Sequence, residues 1–460
     1  MQTHNTERLS AARLLAYAAP TVALQAMLVP LYNFLPPVYY APAVGLSAAL
    51  VGLIFTVGRI WEAITDPLIG AWSDRTRSRF GRRRIWMLMG APIALGSTWF
   101  LLNPPAGSSW VYLLLALMVF YAGWSMVFIP HQAWGTELAQ GYDERTRIAG
   151  FRETGAFVGY LLATLMPLVY WTFLHGVSAP SFAQIVQAVG FFFVFALPIA
   201  LLWCFAAVPT VTQDANAATP SWREMYAILG RNRPFLRLIS AYFVDRVAMG
   251  TYFAVMPALV VQVFGLGQYL LWVALANTVA AVALAPVWVP LARRFGKHRT
   301  YCIANGLTML SYASFFVLPN NLLWPVLLAN VLMAFGNGGT MILPPAMAAD
   351  AVDNDELQSG VQQPGGHMAF LAFVFKAGMG LGAGVGLGFV GLFGYTSSAQ
   401  LLSESVVTGV RFGVSLLPAL LLLVPILMMW RYPIDNVRHA QIRRELQQRR
   451  DRRNEVGKNA

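Results

Sequence analysis

The sequence is poor in charge. Only 11% of its 460 residues are Asp, Glu, Lys or Arg, against about 25% in an ordinary soluble domain. That is too few to coat a soluble fold of this length. Cysteine is nearly absent. Cys204 and Cys302 each sit inside an apolar stretch, which excludes a disulfide-stapled secreted scaffold, and the lack of CxxC or Cys/His clusters leaves a structural zinc site without support. The opening residues, MQTHNTERLSAARLLAYAAP, lack a short apolar core followed by a small-residue cleavage site. They are expected to be retained and to lead into a first span. What the chain has in quantity is apolar surface, with 57% hydrophobic residues and a mean hydropathy of +0.56. At about 20 residues per spanning helix, this composition predicts an all-α polytopic membrane protein.

Apolar segments fall near 14–36, 46–72, 85–103, 109–133, 150–174, 183–209, 235–263, 269–292, 300–318, 322–349, 366–394 and 404–430. None shows the period-two alternation of an outer-membrane barrel strand, and most are far longer than such a strand. They predict twelve transmembrane helices, numbered here as spans 1 to 12. The charges between them alternate. Asp74, Arg75, Arg77, Arg79, Arg82, Arg83 and Arg84 follow span 2, and Asp143, Glu144, Arg145 and Arg147 follow span 4. Arg223, Arg231 and Arg233 follow span 6, and Arg293, Arg294, Lys297 and Arg299 follow span 8. The connections after spans 1, 3, 5, 7 and 9 hold no charged residue. Lys and Arg mark cytoplasmic loops, so both termini and every even connection are expected inside. A net charge of +12 therefore reflects membrane topology and gives no reason to invoke nucleic acid.

The longest polar interruption, from Pro209 to Arg233, has a linker's composition. It divides the chain into a six-helix half (1–209), a central cytoplasmic linker (210–234), a second six-helix half (235–431) and a basic tail (432–460). The halves echo one another. Span 2 runs into GAWSDRTRSRFGRRRIW and span 8 into VPLARRFGKHRTY, so each places a basic, glycine-containing turn before its third helix. Parallel six-helix repeats of this kind resemble the major facilitator architecture, in which substrate is held between the halves near the midplane. The tail carries nine Lys/Arg against four acids from Arg431 onward. It reads as a solvated helix near anionic lipid heads.

Three groups of residues carry chemistry. In span 2, Glu62 and Asp66 are four apart and share a helix face, with Thr65 between them. Ionised groups in hydrocarbon face a cavity or a partner, so these oxygens form a candidate cage for Na⁺ or a proton site. The competing reading is a structural pair between Glu62 and Arg59, three residues earlier, although one Arg does not neutralise two acids. In span 11, Lys376 has no acid within seven residues and needs a partner from another helix or from a ligand. The third group joins Ser125, His131, Gln132, Trp134 and Glu137 of span 4 with Arg152 and Glu153 of span 5. Trp134 is suited to stacking on a sugar ring, and Arg152 to paired hydrogen bonds with hydroxyls or a carboxylate. Glu153, one residue from Arg152, is expected to point elsewhere on the helix. Asp245 and Arg246 of span 7 read as a pair within the bundle.

The run Trp61-Glu62-Ala63-Ile64-Thr65-Asp66-Pro67-Leu68-Ile69-Gly70, with Ser73-Asp74-Arg75-Thr76-Arg77 and Gly81-Arg82-Arg83-Arg84, resembles the helix 2–3 signature of the glycoside–pentoside–hexuronide:cation symporters, the family of the melibiose permeases. Further matches are Ile129-Pro130, Gly135-Thr136-Glu137-Leu138, Asp143-Glu144-Arg145-Thr146, the stretch Ala349 to Leu357, and Lys376. The resemblance covers nearly the whole chain in order. It implies a major facilitator fold in a bacterial-type inner membrane, no cofactor, and cation coupling at Glu62, Thr65, Asp66 and Ser125; the loss of the family's helix 4 carboxylate, which leaves two acids and two hydroxyls, favours H⁺ slightly over Na⁺. The resemblance places Arg152 and Lys376 toward the substrate, where the residues' own chemistry also puts Gln25, His131, Gln132 and Trp134.

The departures are informative. The helix 1 acid of the family's sugar transporters falls on Ala26, beside Gln25. The helix 4 acid falls on Phe128, the sugar-stacking Trp on Gln132, and a helix 10 Trp on Met341. Basic groups retained without these acids point to an anionic solute such as a sugar acid. The partners expected are therefore a small solute, a coupling cation and membrane lipid, around a monomeric carrier. Asp74, Arg75, Arg82 and Arg83 on one side, with Asp350 and Asp353 on the other, are expected to clasp the cytoplasmic side shut during alternating access. One alternative is a lysolipid or amphiphile carrier or flippase on the same fold. A remoter one is a transferase holding Mg²⁺ on Asp350, Asp353, Asp355 and Glu356.

Overall fold

The computed structural model describes residues 9–40, 44–138, 142–209, 232–359, 364–395 and 402–459. Among these, helices occupy every predicted position and no strand occurs. They are α1 (Ala11–Asn33), α2 (Ala48–Arg75), α3 (Arg82–Leu102), α4 (Trp110–Glu137), α5 (Tyr142–Pro167) and α6 (Phe182–Ala207). There follow α7 (Arg233–Ala258), α8 (Leu270–Leu284), α9 (Lys297–Ser314), α10 (Leu323–Ser359), α11 (Pro364–Leu392), α12 (Glu404–Val414, resuming as Leu416–Met429) and α13 (Asn436–Asn459). Eleven helices are long and apolar enough to cross a membrane. Among the described residues α9 falls short because its 18 residues include Lys297, His298 and Arg299 as well as Thr300, Asn305, Thr308 and Ser311. Most of the predicted linker, residues 210–231, lies outside the described residues.

Helix starts follow from local chemistry. Ser10, Ser47, Ser109 and Ser181 each accept the N–H of the residue three further on, opening α1, α2, α4 and α6 and satisfying an N–H that the helix itself leaves unbonded. The distribution of side chains is the reverse of a soluble protein's. Phe195, Leu202, Leu427 and Ile199 are exposed, whereas Arg59, Glu62, Asp245 and Arg246 are buried. Apolar side chains on the outside and charges within suit a lipid surround, where each charge needs an internal partner.

The chain forms two compact units, Met1–Ala218 with Phe253–Thr278 and Ala383–Val410, and Thr219–Tyr252 with Val279–Gly382 and Arg411–Ala460. In the first, α1 packs on α5 and α6, α2 on α4, and α3 on α4 and α6. The α3–α4 approach is close enough to demand glycine. A Cβ on Gly123 would stand 2.5 Å from the Ala94 nitrogen, and one on Gly90 2.5 Å from the Met126 Cβ. In the second unit α9 packs on α10 and on the later part of α12, repeating the relation of α3 to α4 and α6.

The two basic turns have the same backbone. Gly81 (φ 94°, ψ 141°) precedes α3, and Gly296 (φ 86°, ψ 148°) precedes α9. Such positive φ values favour glycine. The cations that follow are tied to the next antiparallel helix of the same unit. Arg82 and Arg83 donate to Glu137 Oε1 at the end of α4, at 2.7 and 2.6 Å, and Lys297 donates to both oxygens of Asp350 on α10, at 2.6 and 2.7 Å. The repeat seen in the sequence is thus a repeat of structure.

Three details differ from the sequence reading. α10 runs 37 residues to Ser359, so the acidic stretch Asp350–Glu356, beyond the end of the apolar segment, continues the helix, with Lys297 bonded to Asp350. α12 breaks at Ser415. The tail helix α13 is not wholly solvated. Its Ile442 and Leu446 are buried against Leu357, Met347 and Tyr432, and its His439 lies 3.0 Å from Asp353 and 3.3 Å from Asp350.

Candidate functional site

The charged face of α2 is buried in the first unit. Gly58 packs on the Tyr121 ring, Trp61 donates its indole N–H to the Met118 carbonyl at 3.0 Å, and Gly70 packs on Ile129. This register sets the stretch from Glu62 to Asp66 level with Ser125 on α4, as a common rise of 1.5 Å per residue requires. Glu62 is 0% exposed, Thr65 is buried and Asp66 is half-buried. The Arg59–Glu62 ion pair forms. The guanidinium is stacked between Tyr32, 3.8 Å from its ring centre, and Tyr121, at 4.8 Å. Its Nε and Nη2 have no hydrogen-bond acceptor among the described residues, and the hydroxyls of Tyr121 and Ser125, one turn apart on α4, are buried without a partner there. The cluster therefore holds one cation, two acids and two idle hydroxyls.

Spacing alone anticipates the Arg59–Glu62 pair, since residues three apart meet on a helix. Tyr121 was missed, although its position four before Ser125 was the available signal. Tyr32 has no such signal, because only tertiary packing brings it to Arg59.

The residues expected at the substrate are placed differently from one another. Gln25 accepts a hydrogen bond from the Tyr160 hydroxyl at 3.0 Å. His131 is buried and stacks on Tyr17 with centroids 4.6 Å apart, its Nε2 2.8 Å from the Tyr17 carbonyl. Gln132 is half-buried. Trp134 is buried, its ring lies against Arg84 and Phe205, and its N–H points at the Pro209 carbonyl, so neither face is open for stacking on a sugar. Arg152 corrects one expectation. It is bonded to Glu153 at 2.7 and 3.2 Å, because two long side chains from adjacent positions bend together where the backbone directions alone would part them. Lys376 is half-buried on α11 in the second unit.

The residues expected to clasp are engaged inside their own units. Arg83 bonds Asp74 and Glu137 as well as the Ser73 hydroxyl at 2.6 Å, while Arg75 is exposed. Glu137, grouped by sequence with substrate residues, is the hub of this network. Asp350 and Asp353 are held by Lys297 and His439.

The sequence profile of the family described as MFS/sugar transport protein matches residues 16–436. The solved nucleoside transporter NupG superposes with a TM-score of 0.65 at 10% identity, over 92% of this chain and all of that one. The fold and its buried charged helices define a major facilitator transporter, an integral membrane carrier and not an enzyme. The chain belongs to the MFS/sugar transport protein family. It is 28% identical over 424 residues to a glucuronide carrier protein homolog of Escherichia coli (strain K12), covering 90% of each chain. It is 23% identical over 486 residues to the sodium-dependent lysophosphatidylcholine symporter 1 of Gallus gallus, covering 97% of this chain and 91% of that one.

Proposed function

We propose that this protein is a cation-coupled symporter of a sugar-derived, negatively charged solute, working by alternating access. The observation that carries the coupling is the buried cluster of Arg59, Glu62 and Asp66 beside the idle hydroxyls of Tyr121 and Ser125. With Arg59 paired to Glu62, binding of H⁺ or Na⁺ at the carboxylates moves the face toward neutrality. A neutral face is cheaper to carry through hydrocarbon than a charged one, so the loaded protein reorients more readily. Coupling is then a difference in affinity between conformations, and substrate and cation must strengthen each other's binding by the same factor. With no carboxylate at Phe128, the site offers two acids and two hydroxyls, which suits H⁺ slightly better than Na⁺.

The charge of the solute is supported by the kinship with a glucuronide carrier homolog, since a glucuronide bears a carboxylate. Lys376→Ala tests it. An anionic solute left desolvated and unpaired loses about 2–5 kcal/mol, or roughly thirty- to several-thousand-fold in affinity. A neutral glycoside loses about 1 kcal/mol. A substrate affinity within threefold of wild type, beside a large shift in cation affinity, would instead assign Lys376 to coupling and end the anionic reading. Asp66→Asn is expected to abolish cation-driven accumulation while leaving exchange measurable.

A second reading has its own support. An apolar groove of about 630 Å³ runs along α5 and α6, lined by Met166, Tyr170, Phe191, Phe192, Phe195 and Ile199. Phe195 and Ile199 there are exposed, so the groove opens on the lipid-facing side, and a relative is a lysophosphatidylcholine symporter. Competition of transport by lysolipid, and none by sugar acids, would favour it.

A further inference from the structure

Asp245 and Arg246 on α7 are more than a neutral pair within the bundle. Arg246 is 0% exposed. Its Nη2 donates to Asp245 Oδ1 at 2.8 Å and to the Thr340 hydroxyl at 2.6 Å. The other oxygen of Asp245 accepts the Tyr301 hydroxyl at 2.7 Å, which fixes the carboxylate. The remaining donors are poorly served. Nη1 meets only thioethers, Met249 at 3.0 Å and Met341 at 3.1 Å, and Nε–H has no acceptor among the described residues. Thioether sulfur is a weak acceptor. A structural ion pair this deeply buried keeps its place by satisfying its donors, and here part of the guanidinium is left without oxygen. The rings of Tyr242, 4.9 Å away, and Phe375, at 5.7 Å, flank it. Over it lies Met341, which is 39% exposed and, being unbranched with three rotatable bonds, is easily displaced.

We infer that Arg246 is an anion-binding residue for the transported solute, covered at rest by the Met341 thioether and taking a carboxylate or sulfonate when Met341 swings aside. Asp245, Thr340 and Tyr301 orient the guanidinium so that Nη1, on the Met341 side, remains for the ligand. A net neutral Asp245–Arg246 pair tolerates burial between transport events, and a ligand oxyanion supplies what the sulfurs do not. The inference rests on the anionic-solute reading and adds a residue to it.

The test uses the full-length purified protein and two probes that differ only at C6, p-nitrophenyl β-D-glucuronide and p-nitrophenyl β-D-glucoside, with binding read by calorimetry and folding by thermal melting. Arg246→Gln is expected to weaken the glucuronide thirtyfold or more and the glucoside less than threefold. Met341→Glu tethers a carboxylate beside the guanidinium. It is expected to abolish glucuronide binding, spare the glucoside and leave the melting temperature no lower. Should Arg246→Gln fail to fold, Met341→Glu decides alone. If wild type prefers the glucuronide and Met341→Glu leaves that preference unchanged, Arg246 is not an anion site, while the anionic-solute reading stands. If wild type shows no preference for the carboxylate, that reading falls and the role of Arg246 falls with it.

Discussion

Replacing Arg59 with methionine tests whether a guanidinium stands in for the coupling cation on α2. The side chain is buried between two tyrosine rings and paired to a carboxylate of 0% exposure. Its loss leaves Glu62 and Asp66 close together without that counter-charge. Breaking a buried pair from one side costs about 3–5 kcal/mol, and the unliganded variant should lose thermal stability accordingly. The external cation then has more to gain than in wild type. If it recovers about 2 kcal/mol of the loss, its affinity rises roughly thirtyfold, and saturating cation should restore most of the stability by mass action. The measurement is a melting curve at stepped Na⁺ concentrations at fixed pH, with proton uptake followed at fixed Na⁺. Substrate accumulation should fail, because an over-stabilised loaded state no longer releases its ion. A variant that melts like wild type, with Na⁺ and proton affinities within threefold of wild type, would refute the argument and leave Arg59 a packing residue.

Three further outcomes are expected. Glu137→Ala leaves Arg82 and Arg83 without their common acceptor and should destabilise the protein by about 3–5 kcal/mol, whereas Arg75→Ala, at an exposed position, should stay within about 0.5 kcal/mol; denaturant melts of the two compare directly. Leu446→Glu removes about 1.5–3 kcal/mol of apolar burial and should free α13, making it sensitive to limited proteolysis at concentrations that leave wild type intact. Reporters fused after Asn320 and after Thr300 should read outside and inside respectively, and the same side for both would defeat the charge-parity argument.

The helix positions were legible because apolar runs separated by charged or turn-rich connections admit little else. The end of α10 was not. Asp350 to Glu356 lies past the last apolar run, and its bonds to Lys297 and His439 come from residues distant in sequence. The charged face of α2 was legible from spacing within one helix, down to the Arg59–Glu62 pair. Arg152 was misjudged because the hundred-degree step between neighbours describes Cα–Cβ directions and ignores the reach of two long side chains. The surroundings of Arg246 were out of reach, since Thr340, Met341, Tyr301 and Phe375 come from three other helices. Trp134, credited with an open aromatic face, is covered by a partner that no local pattern announces.

The paired glycine turns before α3 and α9 say something about how such a chain arises. Both keep one unusual backbone conformation and both lead a cation to an acid on the following helix, yet the participants differ: two arginines and a glutamate in one case, a lysine and an aspartate in the other. After a duplication, the path of the main chain is the inheritance that resists drift, because a side chain at positive φ is penalised immediately. The charges are replaceable as long as one of each sign survives. An ancestral half could therefore have exchanged every ionic partner, one compensating step at a time, without ever losing the bend that brings the partners together.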